Sequence, residues 1–185
     1  NLDAIENNIF QIKSLLKPGC LLCATVKADC YGHGYAFTAS AMSEAGADWF
    51  SVSNLAEALQ LRRAGITKPV LILGYTPPEN VKELVYNDIS QAVFSLDYAK
   101  SLSFYAERDN VTVNAHIKVD TGMSRIGFRY QDSVEDAAII DEIADVCSLP
   151  GINPEGIFTH FSSADGENGE LFTRLQYELF CTCVD

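Results

Sequence analysis

No apolar run among these 185 residues approaches the length of a membrane-spanning helix. The opening Asn1-Leu2-Asp3-Ala4-Ile5 has the pattern of neither a signal peptide nor a transit peptide, so a cytoplasmic protein is expected. Basic residues are scarce: 13 Lys and Arg stand against 25 Asp and Glu, for a formal net charge of -12. Such a surface repels a phosphate backbone or an anionic membrane, which excludes nucleic acid as the natural partner. A small anionic ligand is not excluded, because a few local cations in a cleft outweigh distant, screened charge. The six cysteines (Cys20, Cys23, Cys30, Cys147, Cys181 and Cys183) form no compact framework, so free or buried thiols are expected and no metal site. An initiator Met is also missing, and the chain is expected to begin inside a longer product.

What the sequence does have is a repeating unit: a short β-branched or apolar run, a turn rich in Gly, Asp, Ser or Asn, then an amphipathic stretch. The pattern predicts strands over 21–27, 49–52, 70–73, 90–93, 111–119 and 156–160. Helices are predicted over 2–16, 37–45, 54–64, 78–86, 96–106, 134–147 and 171–183. Asn54 and Glu57 look like an N-cap with its capping-box partner. Alternating strands and helices imply parallel pairing with right-handed crossovers, in a single domain over 1–185 with no linker. A doubly wound sheet and a (β/α)8 barrel both satisfy this pattern. The barrel is favoured because the chemical residues fall at strand ends, and with about six units it is two strands short of closure.

The strongest chemical signal is Val26-Lys27-Ala28-Asp29-Cys30-Tyr31-Gly32-His33-Gly34, which follows the apolar run Leu21 to Thr25. A lysine ending a buried strand is costly to keep charged, and its neutral amine can attack an aldehyde. A lysine that merely reaches solvent fits the same residues. Gly32 and Gly34 permit close backbone approach, Tyr31 offers a hydroxyl, and Cys30 reads as a small space-filling residue. The second signal is His116-Ile117-Lys118-Val119-Asp120-Thr121-Gly122-Met123-Ser124-Arg125-Ile126-Gly127, where a strand runs into a turn and presents Arg125, whose planar fork suits a carboxylate. An arginine on a solvated loop is the competing view, as is a buried Lys118 paired with Asp120. The third is Thr159-His160-Phe161-Ser162 with Phe172, Thr173 and Gln176 downstream. There a histidine at a strand end can lie flat on an aromatic ligand, or simply be a satisfied residue. His33 reads as structural, and His116 sits within a strand. Lys27, Arg125 and His160 each stand at or just past a predicted strand end, which in a barrel means one rim.

These three segments, in this order, resemble the motifs of the alanine racemase family, and the likeness runs from the first helix to Gln176. The resemblance implies an isomerase that uses pyridoxal 5'-phosphate (PLP), with Lys27 binding the cofactor covalently and serving as one of two catalytic bases. It further implies that Tyr31 bonds the phosphate and His160 lies against the cofactor ring. Arg125 contacts the substrate carboxylate and the cofactor phenolate, and Met123 contributes to the carboxylate site. Lys118 corresponds to a lysine that many members carry as a carbamate. The implied reaction is L-alanine to D-alanine for peptidoglycan precursors, with L-serine as another candidate substrate. The Leu73-Gly74-Tyr75-Thr76 turn is similar to that of membrane-linked serine/alanine racemases. The family is a homodimer whose C-terminal β-domain gives the partner's site its second base. That domain and the last barrel strands are not found here, so residues 1–185 alone are expected not to racemise. A PLP-homeostasis barrel protein and a fold-type III decarboxylase remain alternatives, although the first is not expected to show the Lys118 to Arg125 pattern and the second is expected to differ over Lys118 to Gly127.

Overall fold

The computed structural model describes residues 1–185. The chain forms two compact units, Asn1–Gln91 and Ala92–Asp185. Both are built from parallel strands alternating with helices.

In the first unit, helix α1 (Leu2–Leu15) is opened by Asn1, whose side chain accepts from the Asp3 amide. Its Lys13 ammonium reaches the Asp48 carboxylate at 2.9 Å and the Gly46 carbonyl, and Asp48 also accepts from the Leu22 amide. One half-buried carboxylate thus joins the helix to both flanks of the first crossover. Strands β1 (Cys23–Thr25), β2 (Trp49–Val52), β3 (Val70–Ile72) and β4 (Ile89–Val93) pair in sequence order, all parallel, with Cys23 beside Trp49, Phe50 beside Val70 and Val70 beside Ile89. Helices α2 (Tyr35–Glu44), α3 (Leu55–Arg63) and α4 (Val81–Tyr86) are the crossovers. Strands buried on both faces read as continuous apolar runs, which is why Val70-Leu71-Ile72 and Ile89 to Val93 carry almost no polar alternation. Phe50, Val52, Leu61, Ile72 and Leu84 are fully buried. Each such side chain contributes about 1.5–3 kcal/mol. The Arg62 guanidinium donates to the carbonyls of Ile66, Lys68, Asn87 and Asp88 at 2.6–2.8 Å, so carbonyls from the turns beside β3 and β4 keep partners.

Helix α5 (Leu96–Asp109) in the second unit is capped by Ser95 and closed by Asn110 in the left-handed region. Strand β5 (Val113–Asp120) is central there. It pairs in parallel with β7 (Ile152–Phe158), from Val113 beside Ile152 to Lys118 beside Phe158, and with the two-residue β6 (Phe128–Arg129). Helices α6 (Ala138–Cys147) and α7 (Glu170–Val184) complete the unit, and α7 packs Cys183 and Leu179 against Val119 and Tyr130.

All six predicted β/α units are present, with four local corrections. Strand β1 stops at Thr25, so Lys27 opens a turn instead of ending the strand. Helix α6 begins at Ala138 and not at 134, because Asp136 accepts from the amides of Gln131 and Asp132 and holds the preceding segment in turns. The last predicted strand lies earlier, at Ile152–Phe158, and β6 is an addition that the sequence pattern does not mark. No helix is long and apolar enough to cross a membrane. The six cysteines are free thiols, with Cys30 and Cys183 buried.

Candidate active site

The Val26 amide donates to the Ser51 carbonyl at 2.9 Å, carrying the β1–β2 ladder one residue beyond the strand. Val26 is fully buried, and Lys27 emerges half-buried immediately after it. The chain then makes one left-handed turn: Ala28, Asp29, Cys30 and Tyr31 all have φ between 52° and 55° and ψ between 37° and 50°. None of the four is glycine, and each costs about 1–2 kcal/mol in this region because Cβ crowds the following carbonyl. Such a run persists only where its surroundings over-determine it.

The restraints are visible. The Cys30 amide donates to the Val26 carbonyl and the Gly34 amide to the Asp29 carbonyl, both at 2.9 Å. Asp29 and Tyr35 bond reciprocally, amide to hydroxyl at 3.0 Å and amide to carboxylate at 2.9 Å. The Glu57 carboxylate accepts from the Ala28 amide at 2.9 Å and from the Ser53 amide at 2.7 Å. Asn54 does cap α3, accepting from the Glu57 amide. Glu57, however, reaches Ser53 and Ala28 instead of closing a capping box on Asn54. That reach is hidden in the sequence, since a capping-box glutamate and a cross-loop strap have the same spacing from the cap.

The Lys27 amine is held by no carboxylate and lies 5.9 Å from the centre of the Tyr31 ring. Tyr31 is 62% exposed, which leaves its hydroxyl open to a ligand. Burial, and then the charge of Asp29, push the Cys30 thiol up to about 11. Cys30 is therefore a protonated filler beneath the turn, as its small size suggests.

In the second unit a single carboxylate organises the loop after β5. Asp120 accepts from the amides of Gly122, Ser124 and Arg125 at 2.9–3.0 Å and more distantly from the Gln131 side chain. Burial alone would raise this carboxyl, but those N–H donors, Ser124 and Gly122 foremost, outweigh it and hold it below the ordinary 3.8. The Arg125 side chain is exposed and Met123 half-buried, both on this loop. Gly127 is required at its place: with φ +133°, a Cβ would meet the Lys118 carbonyl at 2.8 Å and the Asp120 amide at 2.9 Å.

Lys118 is only 5% exposed, and its ammonium lies 4.8 Å above the centre of the Phe158 ring. Burial is the main cause that brings it down to about 8, with Asp120 opposing and Arg125 assisting. The strongly desolvated lysine of this protein is thus Lys118, whose amine can be neutral near physiological pH. His160, exposed and two residues past β7, is placed through its backbone. The Gln176 side chain donates to the His160 carbonyl at 3.1 Å and to Thr121 Oγ1 at 3.4 Å, while its own carbonyl accepts from the Ser162 amide at 3.0 Å. A 2.8 Å bond between the Thr121 and Thr159 hydroxyls closes the network. Lys118, Met123, Arg125 and His160 thus share one scaffold, with Asp120 and Gln176 as its fixed points. His116, in β5, pairs with Glu155 at 3.1 Å. No group of three or more His, Cys, Asp or Glu side chains is placed to hold a metal ion.

Known proteins extend this picture. The family model for the alanine racemase N-terminal domain matches residues 1–185. The alanine racemase of Desulfosudis oleivorans is 41% identical over 188 residues, covering 100% of this chain and 48% of that protein. The Desulfovibrio desulfuricans alanine racemase is 46% identical over 165 residues, covering 89% and 43%. Among solved structures, the alanine racemase of Clostridium difficile 630 in complex with cycloserine superposes with a TM-score of 0.86 at 36% identity, over 100% of this chain and 48% of that one. A histidine racemase from Leuconostoc mesenteroides superposes with a TM-score of 0.85 at 27% identity, over 97% and 46%. The chain spans about half the length of the relatives it matches, and its α/β fold is that of an incomplete (β/α)8 barrel.

Proposed function

The chain belongs to the alanine racemase N-terminal domain family, and from that premise we propose that the protein racemises a small amino acid, L-alanine first and L-serine second, with PLP held on Lys27. The observation that carries the reading is the Lys27 turn: a half-buried amine, free of any carboxylate, at the head of a strained left-handed segment that ends in an open tyrosine hydroxyl. Strain of this kind is kept at functional sites.

Within the first unit the donors suit an aldehyde-bearing phosphate ester, Lys27 for the aldehyde carbon and the Tyr31 hydroxyl for the phosphate; Arg125 and His160 of the second unit we assign to the phenolate and a ring face by their likeness to the family's motifs. When bound, PLP supplies an electron sink that makes the α-proton of an amino acid acidic. The Lys27 amine then takes or returns that proton on one face of the α-carbon. Arg125, fixed through its amide on Asp120, forks onto the substrate carboxylate, and Met123 lines that contact. Lys118, desolvated and close enough to feel Arg125, is the position for a carbamate, which would orient the guanidinium. Inversion needs a second base on the opposite face, and we assign it to the partner subunit of a homodimer. The product would serve peptidoglycan precursors in the cytoplasm.

Borohydride reduction of the full-length holoenzyme, followed by peptide mapping, should label Lys27, and chiral analysis should show L-alanine and D-alanine interconverting. Label on another lysine overturns the cofactor assignment. Retention of PLP without interconversion of alanine or serine overturns the activity.

A further inference from the structure

The geometry points to Glu57 as a positioning residue for Lys27: its carboxylate straps the peptide that follows the lysine and so fixes the direction in which the amine leaves the backbone. The inference rests on the reading of Lys27 given above.

Glu57 lies in the first turn of α3, its own amide held by the Asn54 side chain, so its backbone is anchored independently of β1. Its two carboxylate oxygens are divided between targets: Oε2 accepts from Ser53, just past β2, and Oε1 accepts from Ala28, 29 residues earlier in the chain. The Ala28 N–H belongs to the peptide plane whose carbonyl carbon is that of Lys27. Holding that plane restricts ψ of Lys27 and φ of Ala28, the two angles that bring the chain from the ladder into the left-handed turn. The other side-chain restraint, between Asp29 and Tyr35, begins one residue further on and leaves this plane free to tilt. Four consecutive non-glycine residues at positive φ do not hold themselves, so removing a restraint should let the start of the turn relax toward ordinary backbone. An amine displaced by a fraction of an ångström still meets an aldehyde, but it no longer stands in line with an α-proton.

The test uses the full-length protein carrying E57A and, as the isosteric variant, E57Q. A carboxamide keeps one acceptor oxygen and places an NH2 where the second acceptor stood, so E57Q can satisfy only one of the two amides. In the cofactor-free protein, hydrogen exchange at the Ala28 amide should quicken by about tenfold or more in E57A and less in E57Q. In the holoenzyme, kcat for alanine should fall by about 10- to 100-fold with KM changed by less than about threefold. The pH titration of the cofactor's visible band should shift its midpoint, while borohydride still labels Lys27. If E57A does not fold, E57Q decides. Unchanged exchange at Ala28 overturns the inference. So does a lower melting temperature with kcat and the titration midpoint unmoved, since that is a purely structural effect. If the parent itself is labelled elsewhere than Lys27, the cofactor assignment falls and this inference with it; label at Lys27 with indifferent Glu57 variants overturns the strap alone.

Discussion

Two segments that follow strands in this protein carry its candidate chemistry, and they are held in opposite ways. The turn after β1 is strained along its backbone and restrained from outside, by Glu57 on α3 and by Tyr35 at the head of α2. The loop after β5 is restrained from within: one buried carboxylate, Asp120, gathers the amides of three residues that follow it, and of its three residues at positive φ, Gly122, Ser124 and Gly127, two are glycine. The first arrangement leaves an amine at the end of a loaded segment, where a small release changes its direction. The second builds a rigid cradle behind an exposed guanidinium. A proton-transferring group and a substrate anchor have different needs, and the two loops divide along that line.

The difference predicts where single changes hurt most. Asp120→Ala leaves three amides and the Gln131 side chain without their acceptor, and in the full-length protein it should lower unfolding stability by about 3 kcal/mol, measured by urea denaturation. Because folding depresses this carboxyl, its contribution is complete above the ordinary carboxylate range and disappears as pH falls through the lowered folded value. The parent should lose stability steeply below about pH 4, and Asp120→Asn should flatten that limb. An unchanged acid limb would mean that Asp120 is not the loop's organiser.

Gly127→Ala comes next, at about 2–3 kcal/mol, because its Cβ strikes backbone atoms that cannot move aside. Gly34, at φ +88° with nothing within 4 Å of the place a Cβ would take, is the contrast: alanine there meets torsional strain alone and should cost about 1 kcal/mol. Equal losses at the two glycines would erase the distinction between a packed loop and an open turn.

Lys118 gives a smaller effect with a distinctive pH signature. Its folded value near 8 lies below the ordinary 10.5, so between those limits the unfolded chain binds more protons and stability rises with pH. With Lys118 unmodified, the gain from pH 8 to pH 9 should be about 1 kcal/mol in the parent relative to Lys118→Met, which has nothing to titrate. Parallel curves for the two proteins would indicate that the amine is no longer a free base, as a carbamate would make it.

The repeating units are legible in the sequence because strands buried on both faces are written as unbroken apolar runs. Val70-Leu71-Ile72 and Ile89 to Val93 leave little choice. Lys27, Arg125 and His160 are legible too as residues at or beyond strand ends, where an apolar run gives way to a turn. The left-handed turn is hidden: Ala28, Asp29, Cys30 and Tyr31 show none of the glycine that marks positive φ, and their conformation is held by bonds to Tyr35 and Glu57 that no local pattern marks. The reach of Glu57 is hidden for the same reason, because a carboxylate three residues past an N-cap says nothing about a partner at Ala28. The start of α6 escapes the helical pattern because Asp136 pulls Gln131 and Asp132 into a turn that competes locally with helix. In each of these cases a side chain fixes backbone that local propensity would place otherwise.

The smallest expected effect bears most directly on the comparison. Ala28 is exposed and sits at φ 52°, ψ 50°, so exchanging it for glycine removes almost no packing and relieves the crowding of Cβ against the next carbonyl. The relief is about 1–2 kcal/mol. Against it stands the greater freedom of glycine in the unfolded chain, about 0.4–1 kcal/mol. The balance favours the variant by about 0.5 kcal/mol, the reverse of the usual glycine penalty. Urea denaturation of the cofactor-free protein should therefore place the Ala28→Gly midpoint at or above the parent's. The same substitution at Ala99, buried within α5, should lower it by about 1 kcal/mol, because there glycine loses helix propensity and a packed methyl group. If Ala28→Gly behaves like the Ala99 variant, the turn carries no strain in solution, and the external restraints on it would have nothing to oppose.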